Sequence, residues 1–220
     1  MKQLKRLLFA LTILSTNTAF ANTSYDNREA GKFSLGLGLG VFMAPVSGAS
    51  LSGTYNYTPD VQFELRAASG SIDADDLIDS SYNDIVVNRF DLDANLTEIR
   101  AKYFVGNSFY VAGGLAQRTL QIDIDARDQD SAITGNLKSA STCFTLAIGN
   151  IWNLDNGMYI GGEWLALAVP MSSSSSNHFN AQGITDSDTE SLKRDTKKAM
   201  NDIGKTTTAG VATFQIGYQF

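Results

Sequence analysis

Phe214, Ile216, Tyr218 and Phe220 alternate with Thr213, Gln215, Gly217 and Gln219 to the last residue of a 220-residue chain. A period of two makes this segment a β-strand with one oily face. The opposite face is small or polar, which suits an enclosed interior better than a second apolar layer. The pattern returns near the other end, where Phe33, Leu35, Leu37, Leu39, Val41 and Met43 alternate with Ser34, Gly36, Gly38, Gly40 and Phe42. Leucine backed by glycine fits a narrow barrel, whose inside has little room. These glycines are not a phosphate loop, because they lack both GxGxxG spacing and a following helix.

The same reading gives eight strands. The second, about Ala49 to Tyr57, turns Leu51, Gly53, Tyr55 and Tyr57 outward, and the third turns Val61, Phe63, Leu65 and Ala67 outward. The fourth, about Asn95 to Val105, has Thr97, Ile99, Ala101, Tyr103 and Val105 outside, and the fifth has Phe109, Val111, Gly113 and Leu115. Near Arg118 the parity flips: Leu120, Ile122 and Ile124 share the inward phase, through a β-bulge or because the strand has left the hydrocarbon. The sixth, about Leu137 to Asn153, shows Phe144, Leu146, Ile148 and Trp152 outward, with Asn150 an exception. In the seventh, Met158, Ile160, Gly162, Trp164, Ala166 and Ala168 are placed outward and Tyr159, Gly161, Glu163, Leu165 and Leu167 inward, chiefly to keep Glu163 out of lipid.

Links two-three, four-five and six-seven are tight turns, whereas three of the other four are long: Ser71 to Ala94, Ala126 to Asn136 and Met171 to Lys205. Phe33, Tyr57, Tyr103, Phe109, Trp152, Tyr218 and Phe220 gather at the short-turn ends, as amphipathic rings do at a headgroup boundary. Lys2, Lys5 and Arg6, the apolar run Leu7 to Leu14, and Ala19-Phe20-Ala21 read as a cleaved signal peptide over residues 1–21. Its removal takes three positive charges from a chain already at −6, so nucleic acid is a poor partner. Cys143 is the single cysteine and reads as a packed, inert thiol.

The closing Phe220, with apolar residues at every second position before it, resembles the C-terminal assembly signal of bacterial outer-membrane barrels; Phe214, Ile216, Tyr218 and Phe220 carry it. The chain from about Lys32 to Phe220 resembles the OmpA-like family. The resemblance implies an all-β, eight-stranded antiparallel up-and-down transmembrane β-barrel over residues 32–220, after a short periplasmic segment at 22–31. It implies export to the outer membrane of a Gram-negative cell, termini periplasmic and long loops extracellular. Outer-membrane lipid, lipopolysaccharide and the barrel-assembly machinery are the partners it implies.

The face assignment collects Glu64, Arg66, Glu98, Arg100, Lys102, Arg118 and Glu163 in the lumen. Ions cut off from water must pair, so this set reads as an internal salt-bridge plug. The family's lumen, closed by a similar network, points the same way. The alternative is a narrow ion-conducting pore.

The second loop carries Asp73, Asp75, Asp76, Asp79, Asp84, Asp91 and Asp93, and the third Asp123, Asp125, Asp128 and Asp130. Such density could hold a divalent cation, Asp73, Asp75, Asp76 and Asp79 being the candidates, but no EF-hand or nonapeptide spacing appears, so a solvated acidic loop is expected and no metal or cofactor is implied. The fourth loop has a polyserine stretch, Ser172 to Ser176, read as mobile, then a short helix over 186–203. His178, the only histidine, lacks an orienting acid at fixed spacing, so an outer-membrane lipid-modifying enzyme stands as a further alternative and catalysis is not expected. A structural, adhesion or surface-interaction role with an unnamed extracellular ligand remains the expectation.

Overall fold

A computed structural model describes residues 23–43, 46–73, 86–127, 132–183 and 186–220. The expected signal peptide lies outside them, as do Asp75, Asp76, Asp79, Asp84, Asp128 and Asp130. Eight antiparallel strands close into a barrel in chain order: β1 (Phe33–Met43), β2 (Val46–Thr58), β3 (Val61–Asp73), β4 (Val86–Phe104), β5 (Phe109–Arg127), β6 (Ala132–Asn153), β7 (Met158–Gln182) and β8 (Thr208–Gln219). A helix, α1 (Thr23–Ala30), precedes the barrel, and a second, α2 (Asp186–Gly204), joins β7 to β8. The seam is β1 against β8, where the Phe220 N–H donates to the Phe33 carbonyl at 2.9 Å and the Phe33 N–H returns the bond at 3.1 Å. A closed ring leaves no free edge.

Faces follow the alternation in β1 to β4 and in β8. Leu35, Leu37, Leu39, Leu51, Leu65, Ile99 and Phe214 are all more than half exposed, while Ser34, Ser52, Thr54, Gln62, Glu64, Arg66, Glu98, Arg100 and Lys102 are buried inside. An apolar outside around a polar inside inverts the soluble arrangement and suits hydrocarbon as solvent. Glycine in β1 has a particular tenant opposite: a Cβ on Gly36 would collide with the Tyr159 hydroxyl.

Several expectations need correction. In β7 a bulge at Trp164 breaks the register, since Gly149 pairs with Glu163 but Ile148 with Leu165. The faces swap beyond it. Leu165 is exposed, Leu167 pairs with the outward Leu146, Ala168 is buried, and Ala166 packs against the inner cluster. Glu163, just before the bulge, stays inside. Asn150 is buried beneath Trp164, donating to the Ser108 hydroxyl at 3.1 Å and accepting from the indole N–H at 2.8 Å.

Strands β3 to β7 also run well past the expected ends. Asp91, Asp93, Asp123 and Asp125 are strand residues, not loop residues, and the polyserine stretch is part of β7, paired with β6 from Lys138 to Thr142. Polyserine looked mobile because composition cannot register a partner strand; here Ser172 to Ser176 complete a ladder.

No bulge lies near Arg118: β5 pairs with β6 without a shift from Phe109 to Arg127. The chemistry inverts while the phase stays constant. At the loop end the outward row is Asn95, Thr97, Gln117, Thr119 and Thr142, and the inward residues Phe42, Val46, Ala68, Ala94, Leu96, Ala116 and Leu120 form an apolar cluster with Ile72 and Leu92 beside it. Of the two readings for the parity flip, the bulge is excluded, and the polar outward row fits a strand that has left hydrocarbon. Beyond the belt the barrel is built like a soluble one.

Candidate functional site

The β3–β4 register generates the interior chemistry. Glu64-Leu65-Arg66 runs antiparallel to Glu98-Ile99-Arg100, so Glu64 faces Arg100 and Arg66 faces Glu98, with Gln62 opposite Lys102. Directly opposed unlike charges stabilise such a pair of strands. Glu163 reaches across from β7. Arg66 donates to Glu98 Oε2 at 2.6 Å and to Glu163 Oε1 at 3.0 Å, and Arg100 donates to Glu163 Oε2 at 2.5 Å and to Glu64. Lys102 Nζ donates to Glu64 Oε1 at 3.1 Å and lies 5.0 Å from the centre of the Tyr110 ring, whose hydroxyl donates to Glu163 Oε2 at 3.3 Å. All six ionic side chains are no more than 3% exposed. Three carboxylates thus meet three cations in one connected cluster, which offsets the large cost of taking each ion out of water.

Arg118 stands apart from this cluster. It is fully buried, and its guanidinium donates to the carbonyls of Gly204 at 2.7 Å and Thr206 at 3.0 Å, to the Thr208 hydroxyl at 3.0 Å and to the Ser141 hydroxyl. Its partners are the orphan acceptors at the C-terminus of α2, where the helix dipole also favours a cation. Counting charges could not reveal this, because the acceptors are main-chain groups 86 and 88 residues away. Ser141 adds a second donor to Gly204 at 2.7 Å, and α2 lies along the small inward side chains of β6 and β7 through Ser173 to Asn201, Ser175 to the Lys197 carbonyl and Asn177 to the Lys193 carbonyl. Met200, 2% exposed, is its apolar anchor.

At the turn end, the stretch expected only as a short periplasmic segment over 22–31 contains α1. Its Gly31 N–H closes the last turn on the Asn27 carbonyl at 3.0 Å. The Ser24 hydroxyl accepts from the Asn153 N–H at 2.9 Å, Asn56 donates to the Gly31 carbonyl at 2.7 Å, and Gln219 donates to the Asn27 and Gly31 carbonyls. Arg28 points into the barrel and stacks on Phe104, 3.8 Å from guanidinium carbon to ring centre. Burial pushes its guanidinium down to about 10, the Asp60 carboxylate opposing the shift. It is still charged at neutral pH. Above it Phe104, Tyr110, Ala112, Ala147, Ile151 and Tyr159 form a second inner cluster beneath the charges.

The remaining predicted residues are spread over the outside. Phe214, Ile216, Tyr218 and Phe220 are each at least half exposed, and Phe220 lies 6.5 Å from Phe33 across the seam. His178 sits on the outer face of β7 opposite Asn136, in a polar cleft of about 320 Å³ with Arg89, Asp123 and Asp125. Asp123 accepts from Asn136 at 2.5 Å, and among the described residues no hydroxyl or carboxylate hydrogen-bonds His178. Nor do three or more metal-ligating side chains converge among the described residues. Asp73 pairs with Asp91 on the neighbouring strand. Cys143 is buried and free.

No protein-family model matches the sequence, and no curated protein matches it. Solved structures do match in fold. CarO of Acinetobacter baumannii aligns with a TM-score of 0.51 at 15% identity, over 87% of this chain and 99% of that one. A major outer membrane protein from Thermus thermophilus aligns at 0.50 and 14% identity, over 87% of this chain and 100% of that one. The fold is that of the OmpA-like eight-stranded outer-membrane barrels.

Proposed function

We propose that this chain is an integral outer-membrane barrel with a sealed interior, working as a structural or surface-interaction element rather than as a conduit or an enzyme. The observation that carries this reading is the succession of fillings inside the barrel: α1, the aromatic layer around Phe104 and Tyr159, the six-residue charge cluster, the apolar layer around Phe42 and Leu120, and α2 on its serine seat. A conducting lumen needs water through every one of these. The exposed leucine belt suits lipid, the row Phe214, Ile216, Tyr218 and Phe220 suits recognition by the barrel-assembly machinery, and the polar strand extensions would stand above the membrane among lipopolysaccharide sugars. In this orientation the turn end, with α1, is periplasmic.

Reconstitution in planar bilayers tests the reading, and silence at potentials where porins conduct is the expected result. Steady current that vanishes in Glu64→Gln or Arg100→Met would replace it with the narrow-pore reading. One observation favours that second reading: Thr145, Thr213 and Gln215 line the wall opposite β3 and β4 with buried polar atoms lacking protein partners, a place for water. The enzyme reading has no such support, since His178 faces outward and among the described residues no hydroxyl hydrogen-bonds it.

A further inference from the structure

The helix α1 has almost nothing apolar with which to hold its place. Its sequence is Thr-Ser-Tyr-Asp-Asn-Arg-Glu-Ala, and Tyr25, its one large apolar ring, is 39% exposed. Eight residues are also too few for a helix to persist unaided. What α1 does insert is Arg28, at 1% exposure. The Arg28 Nε–H donates to the Pro59 carbonyl in the β2–β3 turn at 2.7 Å, and an Nη1–H donates to the Asn107 carbonyl in the β4–β5 turn at 2.7 Å. The Phe104 ring closes one face of the same plane. Two in-plane acceptors at fixed angles and an aromatic ceiling select a flat, forked cation over a point charge.

We propose that the turn-end mouth of the barrel is a guanidinium-recognition site, occupied in cis by Arg28, and that α1 is a detachable plug held there by that one planar cation. The other bonds of α1 run from Ser24 and Asn27 to Asn153 at the end of β6, from Asn27 to the exposed Asp155 carboxylate in the β6–β7 turn at 3.4 Å, and from Asn56 and Gln219 to its C-terminal end; none of them enters the barrel as Arg28 does. They orient the helix, and Arg28 latches it. With α1 withdrawn, the site is open to a guanidinium group from another source, an arginine side chain of a peptide being the natural class. This holds whether or not the lumen conducts.

Chemical rescue tests it. In the detergent-purified barrel, amide hydrogen exchange over residues 23–31 should be slow, and in Arg28→Ala at least about tenfold faster. Ethylguanidinium should return much of the protection by filling the vacated plane, while ethylammonium at equal concentration should not. Heat-modifiable gel mobility shows in parallel that the barrel is intact. If Arg28→Ala does not fold, Arg28→Lys serves, and faster exchange in a folded barrel is expected because an ammonium cannot satisfy both carbonyls and the ring. Unchanged protection in Arg28→Ala, recovery no greater with ethylguanidinium than with ethylammonium, or full protection in Arg28→Lys would overturn the proposal.

Discussion

Both oxygens of Glu163 are engaged, Oε1 by Arg66 and Oε2 by Arg100 and Tyr110, so it ties the β3–β4 charges to the far wall of the barrel. Replacing it by Gln leaves two buried guanidinium groups short of a counter-ion. Loss of one partner from a buried ionic cluster costs about 3–5 kcal/mol, so the urea midpoint of the folded barrel should drop sharply in Glu163→Gln. Tyr110→Phe removes only a hydrogen bond to that carboxylate and should cost about 1–2 kcal/mol. Equal effects of the two substitutions would show that the cluster does not act as an ionic unit. Ala212 makes the opposite case. In β8, where β1 register shifts between Leu39 and Val41, it takes φ of 52°, a left-handed conformation that its Cβ resists. Ala212→Gly should therefore stabilise the barrel by roughly 1 kcal/mol, read from the same denaturation curves.

At the scale of elements, the phase of β5 is unchanged past Leu115 while its outer face turns polar, which predicts that lipid ends there. Leu115 is exposed in the apolar belt, whereas Gln117 and Thr119, two and four residues further on the same face, are polar, as are Thr97 and Thr142 beside them. Single cysteines at 115 and 144 carrying a fluorophore should be quenched by lipid-borne quenchers, and those at 117, 119 and 142 by aqueous ones. Quenching from lipid at 119 would move the boundary. The helix α2 supplies a second test, because its C-terminus is held by Arg118 and Ser141 and by the tight fit of Gly204 against Ser139. Arg118→Met keeps the stem and removes the donors, so trypsin should cut at Lys197 and Lys198 at least about tenfold faster while the barrel keeps its gel mobility. These elements differ in how much their sequence disclosed. Faces of β1 to β4 and β8 were legible because lipid and lumen demand opposite chemistries at alternate residues. Beyond Trp164 in β7 they were not, since a bulge shifts parity without leaving a mark in composition. Past the belt the rule reverses, so Leu120 reads as misplaced until the apolar cluster inside is seen. Six polar residues with only Tyr25 and Ala30 among them gave no periodicity from which α1 could be read. Among the site residues, four meet through a cross-strand register already implicit in Glu-x-Arg facing Glu-x-Arg, with Lys102 at the next inward position of β4 and Glu163 reaching them from β7, while the acceptors of Arg118 depend on a helix that folds back into the barrel.

For the whole molecule, the sealed interior proposed above implies seals that act in series. Water or ions moving along the axis must pass the charge cluster and the apolar layer in turn, and resistances in series add, so the tightest surviving layer sets the current. Phe42→Ala with Leu120→Ala would hollow the apolar layer, both side chains being 8% exposed within it. Cavities of that kind cost about 3–5 kcal/mol for the phenyl and 2–5 kcal/mol for the leucine, so the variant should be clearly less stable. It should nevertheless stay electrically silent, because Arg66, Arg100 and Lys102 remain locked to Glu64, Glu98 and Glu163 one layer below. The prediction separates packing from gating: a folded double variant that conducts would mean that the charge cluster already lets ions through and that the apolar layer alone had stopped them. Silence in that variant, followed by current only when Glu163→Gln is added, would place the second seal at the charges themselves.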